Sequence, residues 1–492
     1  MPPPKLPLNW PPHFMSFLRS LILTLLLVCA AAPLHAENPF HEAAVASDDA
    51  ALLQKSGFKP GEVGFVLVDL DDGRAVAANY ADALFIPASV AKLATVYAAE
   101  TLLGPDFRFE TRLYRAGSTL YLQGGGDPVL TNVELRELAK QAKGQGGGIT
   151  DFVFDATAVP ERPEVDRGQP DQAVYNAGYG GLDLDFNRIE VDWTRGGGDK
   201  VTFTPHAIAD GYNVKAEGID FLPATSPSPP GAAFLYAGEA GVDKWLYAQG
   251  LVETLEETGA TALPVKNPGM FAARTFRTIA QGQGLALPAP RPGAVPADAT
   301  LVATVQSPPL PEIMKGLLKF SNNMTAELIG AAVSRKLTGA AQPGTGSAAA
   351  MADWLGKRLS YVDWRGFKLF NHSGLSTANR ASPRQIAAIL TAIARDPALA
   401  AMPNKTMGDD PGANAVAKTG TMDFASGLGG LLTAKSGRRF AFAIFMVDRD
   451  RRAKLDATFD SRILAPTPGA RGWLGRARGL QQALLKSWRA RY

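Results

Sequence analysis

The chain has 492 residues, 46% hydrophobic and 20% charged, with a formal net charge of only +3. That length predicts about two to four domains. The composition excludes a disordered chain, and the balanced charge gives no ground for a nucleic-acid partner. Fifty glycines and 36 prolines predict many turns and short strands.

The N-terminus reads as an export signal. Lys5 and Arg19 precede an apolar run at 21–32, and Pro33-Leu34-His35-Ala36 offers cleavage after Ala36, so 1–36 is assigned as a signal peptide. The run is too short for a typical membrane span. Met15 is an alternative start to Met1, since the first fourteen residues are proline-rich. The lone Cys29 lies inside the run, and the bulky Val28 before it speaks against lipidation. Cleavage leaves no cysteine, hence no disulfide, thiol nucleophile or thiolate-bound metal.

Residues 38–56 read as a helix closed by Gly57, and 65–70 and 74–80 as a hairpin about Asp71-Asp72-Gly73. Ile86-Pro87-Ala88-Ser89-Val90-Ala91-Lys92 follows, then a helix at 92–103. A helical start at Ser89 puts Lys92 on the same face, an amine within reach of a hydroxyl. Such a serine is a nucleophile only if the lysine can take its proton, which requires burial or nearby positive charge to lower the amine's pKa. Taken alone, Ser-x-x-Lys is also an ordinary capped helix start.

After residue 106 the pattern turns to short strands, at 107–114, 118–122, 149–155, 188–193, 200–205 and 234–237, with one short helix at 133–143. Residues 106–300 are therefore expected to be a mainly β region of one or two modules. Gly124-Gly125-Gly126-Asp127-Pro128 is not a phosphate loop, because no Gly-Lys-Ser/Thr follows. The proline-rich stretch 287–296 is read as a boundary or extended connector. A strand at 301–306 and helices at 311–320, 324–337, 347–358 and 383–394 follow, then strands at 413–417, 427–433 and 439–447. A mixed core is expected to join these late strands to the early hairpin.

Two further short motifs sit in this second half. Ser321-Asn322-Asn323 lies between helices, and Lys418-Thr419-Gly420-Thr421 ends an alternating strand. Each has a plain reading as a turn or strand end. Ser-x-x-Lys, Ser-x-Asn and Lys-Thr-Gly in this order are more telling together. With them, Gly124 to Pro128, Ser307-Pro308-Pro309-Leu310, Ser321 to Glu327, Ser373-Gly374-Leu375-Ser376 and Ala417 to Thr421 resemble segments of the low-molecular-weight (class C) penicillin-binding proteins. These are the D-alanyl-D-alanine carboxypeptidase/endopeptidase family, peptidase family S13, and the likeness spans residues 86 to 421.

The resemblance implies a mixed α/β fold of the serine penicillin-recognising transpeptidase/β-lactamase-like type, an antiparallel sheet flanked by helices and split by a large insertion. The expected layout is 37–105 plus 301–466 as catalytic domain, 106–300 as insert and 467–492 as a basic tail. It implies that Ser89 attacks the carbonyl between two D-alanines and forms an acyl-enzyme, with Lys92 accepting its proton. Ser321 relays a proton to the leaving amine, and Asn323 holds Lys92 or the substrate amide. Lys418 supplies positive potential. Thr419, Gly420, Thr421, Met422 and Asp423 form the substrate-binding segment, with the two threonines on the terminal carboxylate. The oxyanion hole is expected from the backbone N–H of Ser89 and of Met422 or Asp423. The implied partners are peptidoglycan stem peptides and β-lactams as covalent inhibitors, in the periplasm, with no cofactor and no metal.

The family's Asp-Gly-Ser-Gly-Leu-Ser is Asn371-His372-Ser373-Gly374-Leu375-Ser376 here, either loop variation or altered support at the cleft rim. Carboxypeptidase and endopeptidase action both stay open. A β-lactamase or β-lactam sensor on the same fold is the alternative, and a noncatalytic cell-wall scaffold a third. Finally, residues 471–492 carry six basic residues and no acid, with Trp473, Leu480, Leu484 and Trp488 on an apolar face. That pattern suits either contact with an anionic membrane surface or a helix docked on its own domain.

Overall fold

The structure is a computed structural model that describes residues 46–144, 147–197, 200–209, 211–239, 241–396, 399, 409, 410 and 415–492. The signal-peptide reading, Cys29 and the alternative starts lie outside the described residues.

The first helix, α1 (Ser47–Ser56), ends at Gly57 in the left-handed conformation. Strands β1 (Val63–Asp69) and β2 (Ala75–Asn79) form the expected hairpin. A 3-10 turn at Ala88–Ala91 carries Ser89 and runs directly into α2 (Lys92–Leu103). Beyond the insert come α6 (Leu310–Phe320), α7 (Asn323–Thr338), α8 (Gly344–Arg358), α9 (Pro383–Arg395), β15 (Asp409–Asp410), β16 (Ala415–Met422), β17 (Ala425–Thr433), β18 (Arg439–Val447), α10 (Arg449–Ala457) and α11 (Ala470–Arg491). Their strands join β1 and β2 in one antiparallel sheet, ordered β15-β16-β17-β18-β1-β2.

Strand β18 explains why this sheet lies between two helical layers. Phe440, Phe442, Ile444 and Met446 pack with α11, while Ala441, Ala443, Phe445 and Val447 pack with α2, α6, α7 and α9. Side chains alternate along a strand, so a continuous apolar run must be covered on both faces. Helix α2 is the inner member of the second layer. Leu93, Ala94, Val96, Ala98 and Ala99 are all buried, and so are Lys92 and Thr95.

The insert contributes β3 (Glu110–Ala116), β4 (Thr119–Gly124), α3 (Asn132–Gln141), β5 (Asp151–Asp155), β6 (Arg188–Arg195), β7 (Val201–Ala209), β8 (Tyr212–Lys215), β9 (Ile219–Pro223), β10 (Phe234–Tyr236), β11 (Asp243–Tyr247), α4 (Leu251–Thr254), β12 (Thr258–Pro264), α5 (Pro268–Gly282), β13 (Pro290–Pro292) and β14 (Thr300–Gln306). They form sheets of five, four and three strands over one shared apolar cluster.

Three expectations about this region are corrected. Helix α5 is an addition to the expected elements, although proline at its start and Phe271, Thr275, Phe276, Ile279 and Ala280 at helical spacing mark it. The stretch at 287–296 is no free connector, since β13 pairs parallel with β5. Residues 301–306 do not begin the returning unit, since β14 pairs antiparallel with β3 in the insert's sheet.

The chain enters and leaves this region along one seam. Ser307 N donates to Phe109 O (2.9 Å), Phe109 N to Ser307 Oγ (3.0 Å) and Leu310 N to Phe107 O (3.0 Å). At Gly124 an added Cβ would come within 2.2 Å of Gly181 O, which accounts for one glycine of that run.

The basic tail is the docked helix α11. Trp473, Leu480, Leu484, Leu485 and Trp488 are buried, Arg491 forms paired hydrogen bonds with the buried Asp49 (3.1 and 2.9 Å), and Tyr492 Oη donates to Val76 O (2.9 Å). The apolar face that suggested membrane contact is therefore covered by the sheet, and the membrane reading is withdrawn. Among the described residues no helix is long and apolar enough to cross a membrane. Trp488 is fully buried, packs edge-on against Phe65 at 5.4 Å and donates to Asp49. Trp488→Ala is expected to destabilise this domain by about 3–5 kcal/mol, read as a lowered denaturant midpoint. An unchanged midpoint would show that α11 is not part of the cooperative core.

Candidate active site

Ser89 sits in the 3-10 turn after Ala88, a non-glycine residue held at φ 46°. Two glycines let this turn seat itself. A Cβ on Gly420 would lie 2.5 Å from Pro87 O and 3.2 Å from Ser89 N. A Cβ on Gly374, itself at φ 80°, would lie 1.9 Å from Ala88 O. The serine turn is thus held between strand β16 and the 371–376 loop, and neither neighbour tolerates a side chain at its contact point.

Lys92 begins α2 and is fully buried. Its Nζ has three partners: Ser89 Oγ at 2.9 Å, Asn323 Oδ1 at 2.7 Å and the Ser373 carbonyl at 2.7 Å. Burial, and secondarily the charge of Lys418, hold its pKa well below the usual lysine value; Glu327 opposes them. Two of the three partners are carbonyl oxygens and can only accept. A neutral amine has two N–H groups and one lone pair. In that neutral form the two carbonyls take the N–H groups, and the lone pair is left facing the one partner that can donate, the Ser89 hydroxyl.

The other predicted residues converge on this pair. Ser321 caps α6 in the left-handed region at φ 56°, a cost tolerated at few non-glycine sites. Asn322 caps α7 by accepting from Thr325 N (2.9 Å), which makes Asn323 the first helical residue. Asn323 turns Oδ1 to Lys92 and Nδ2 to the Tyr175 carbonyl (2.9 Å). Lys418 lies buried within β16, not at its end as the sequence suggested, and donates to Thr419 O (2.8 Å). Burial lowers its pKa to about 8. Thr419 and Thr421 are exposed on one side of the strand, as its alternation requires.

A cavity of about 510 Å³ opens over Ser89, lined by Tyr175, Ser321, Asn323, Thr421, Met422 and Asp423 among others. Met422 and Asp423 sit at the hairpin end of β16. Asp423 is engaged there by Thr467 Oγ1 and, through its carbonyl, by Arg452 (3.2 Å). Gly420 is the β16 residue packed on Ser89 N.

Several site residues escape the sequence reading. Glu327, one turn along α7 from Asn323, is buried and accepts from the backbone N–H groups of His372 (3.1 Å) and Ser373 (2.9 Å). It thereby pins the loop whose carbonyl holds Lys92. The Ser-Asn-Asn-x-x-x-Glu spacing is the signal that could have found it, since Asn323 and Glu327 are i,i+4 on a helix. Tyr175 has no local signal, because its role here rests on a backbone carbonyl. His372 is not at the cleft rim. It is fully buried, its ring lies against Gly330, and its Nε2 meets Ser347 Oγ at 2.8 Å. Burial drives its pKa down to about 3, so the ring is neutral packing. Among the described residues no group of three or more His, Cys, Asp or Glu side chains is arranged to hold a metal ion.

A serine, a buried lysine and a Ser-x-Asn helix start on one cleft are a known arrangement, and residues 46–461 match the model of the D-Ala-D-Ala carboxypeptidase 3 (S13) family. The chain belongs to this family. It is thus a hydrolase of the D-Ala-D-Ala carboxypeptidase/DD-endopeptidase class. It is 27% identical to a D-alanyl-D-alanine carboxypeptidase from an Actinomadura species, over 80% of this chain and 79% of that one. It is 24% identical to a D-alanyl-D-alanine carboxypeptidase of Haemophilus influenzae over 78% of this chain and 85% of that one. The fold matches the crystal structure of penicillin binding protein 4 from H. influenzae with a TM-score of 0.70 and 20% identity, covering 89% of this chain and 99% of the other.

Proposed function

We propose that this S13 peptidase cleaves the D-Ala-D-Ala bond, or the D-alanyl cross-link, of peptidoglycan stem peptides through an ester on Ser89. The observation that carries this reading is the three-way contact of the buried Lys92 amine. Ser89 Oγ bonds to the substrate carbonyl carbon while its proton passes to the Lys92 lone pair. The oxygen that gains charge is met by the backbone N–H of Ser89 and of the adjoining β16 segment, which are preorganised for it. The carbon–nitrogen bond then breaks, and the proton returns from Lys92 through the Ser321 hydroxyl to the departing amine. Water repeats the attack on the ester and restores Ser89. Asn323 fixes the amine, Glu327 positions the loop behind it, and Lys418 with Thr419 and Thr421 holds the substrate's terminal carboxylate.

A β-lactam presents the same attack, but its amine stays tethered to the acyl group and the ester persists. A second structure of the H. influenzae protein, in complex with a β-lactam, has a TM-score of 0.67 to this chain. The seam at 107–110 and 307–310 supports a split catalytic domain of 46–106 and 307–466, with 107–306 inserted. The leader-like N-terminus supports a periplasmic site of action.

Mass analysis of cross-linked and uncross-linked muropeptides after digestion tests the reading. Free D-alanine or split dimers are the expected products, and they separate the two activities in one digest. Covalent β-lactam binding without either product would mean a sensor. Rapid β-lactam turnover without peptide cleavage would mean a β-lactamase.

A further inference from the structure

Ser321 and Thr421 together line two cavities, and Ser321 also borders a third with Asn322 and Asn323. One of the shared two is the cavity over Ser89. The other, of about 370 Å³, does not include Ser89. Ser321 is the residue proposed to protonate the departing amine. The acyl half of the substrate therefore belongs with Ser89, and the leaving half belongs with the second cavity, because that cavity and not the third holds Lys418, Thr419 and Thr421, assigned above to the terminal carboxylate.

The two sides differ in charge. The Ser89 side includes Asp423 and Asp460 beside Arg452. The second cavity carries Lys319, Lys418 and Arg478, and among the described residues its lining has no carboxylate. Its floor is apolar, from Ala417, Leu428 and Leu485. Arg478 and Gln481 come from α11, which its buried face anchors to the sheet. Gln481 Nε2 also donates to Ser426 Oγ on β17 (3.2 Å), which fixes the helix one turn from Arg478. Arg478 and Lys319 are both exposed, and among the described residues neither is paired with a carboxylate; Lys319 lies over the Phe320 ring at 5.0 Å. A single departing D-alanine needs only the Thr419–Thr421 end. A groove of this volume suits a larger group.

We infer that this cationic groove is the subsite for the leaving strand of a cross-linked substrate, and that Arg478 and Lys319 pair with carboxylates of that strand beyond the one held at Thr419 and Thr421. The inference rests on the peptidase reading above. It turns the basic C-terminal helix into one wall of the cleft and makes cross-link splitting the reaction for which the leaving side is shaped.

The test compares kcat/KM for splitting muropeptide dimers with kcat/KM for D-alanine release from an uncross-linked pentapeptide, on the full chain. Arg478→Glu is expected to lower the dimer-to-pentapeptide ratio at least about ten-fold, mostly through KM, and Lys319→Glu to lower it less. Arg478→Lys should keep most of the ratio. Lys486→Glu makes the same charge change on α11 away from the groove and should leave the ratio as in the unaltered protein. Amidating the leaving strand's carboxylates should weaken dimer cleavage by the unaltered protein and remove the further loss caused by Arg478→Glu. Labelling with a penicillin verifies that each variant is folded. An unchanged ratio in Arg478→Glu, or an equal loss on amidated dimers, overturns the inference. So does a protein that releases D-alanine but never splits dimers, and that result leaves the peptidase reading standing. If penicillin does not label Ser89 and neither substrate is cut, the peptidase reading fails and the inference falls with it.

Discussion

Ser89→Ala is expected to abolish covalent labelling by a penicillin and to lower peptide cleavage by at least about 10⁴-fold, because the atom that forms the ester is gone. The fold should be indifferent to the change. Ser89 Oγ is one of three partners of Lys92, and the other two, Asn323 Oδ1 and Ser373 O, stay in place. The Gly420 and Gly374 contacts that seat the turn are made to backbone atoms of residues 87–89 and to small side chains, none of which the substitution alters. An intact-mass measurement after exposure to penicillin decides the matter. An adduct of the expected mass on the alanine variant would remove Ser89 as nucleophile and with it the proposed chemistry.

Lys92→Met is expected to slow acylation by about 10²–10⁴-fold, the usual contribution of a positioned general base. Methionine follows the path of the lysine stem without the amine, so Asn323 Oδ1 and the Ser373 carbonyl lose a donor, at a cost of about 1–3 kcal/mol each. The variant should still acquire the penicillin adduct on long exposure, since Ser89 remains. That distinguishes it from Ser89→Ala.

The pH dependence separates a base from a merely structural lysine. Lys92 acts only when neutral, so the acylation rate should rise with pH through its lowered pKa. Lys418 acts only when charged, so the rate should fall again as pH passes about 8, where burial has moved its titration. In Lys92→Met the rising limb should vanish while the fall above about 8 stays. A rising limb that persists unchanged in the methionine variant would assign the base to another group.

Much of this site is legible in the residues and their spacing. Ser-x-x-Lys places its two groups on one helical face by spacing alone, and the folded protein keeps them 2.9 Å apart. The apolar run 440–447 is itself a statement that both faces of its strand are covered. The early hairpin, the four helices after residue 310 and the order of the three motifs are equally readable, because turn chemistry and periodicity are local. Insert elements are less so. Helix α5 lies among glycine- and proline-rich stretches, and β13 is a three-residue strand whose prolines read as a connector.

What the sequence by itself determined is the set of reactive groups and their local geometry: a hydroxyl and an amine one turn apart, a Ser-x-Asn helix start, and a Lys-Thr-Gly strand. What only the tertiary structure decided is whether the amine can work as a base. That depends on burial and on Lys418, and on acceptors 231 and 281 residues away in the chain. Desolvation is a property of everything packed around a group, so no local pattern carries it. The same holds for the tail. Its amphipathic pattern could not say whether a membrane or the protein's own sheet covered the apolar face. Packing answered that, and in doing so set Arg478 at the edge of the cleft.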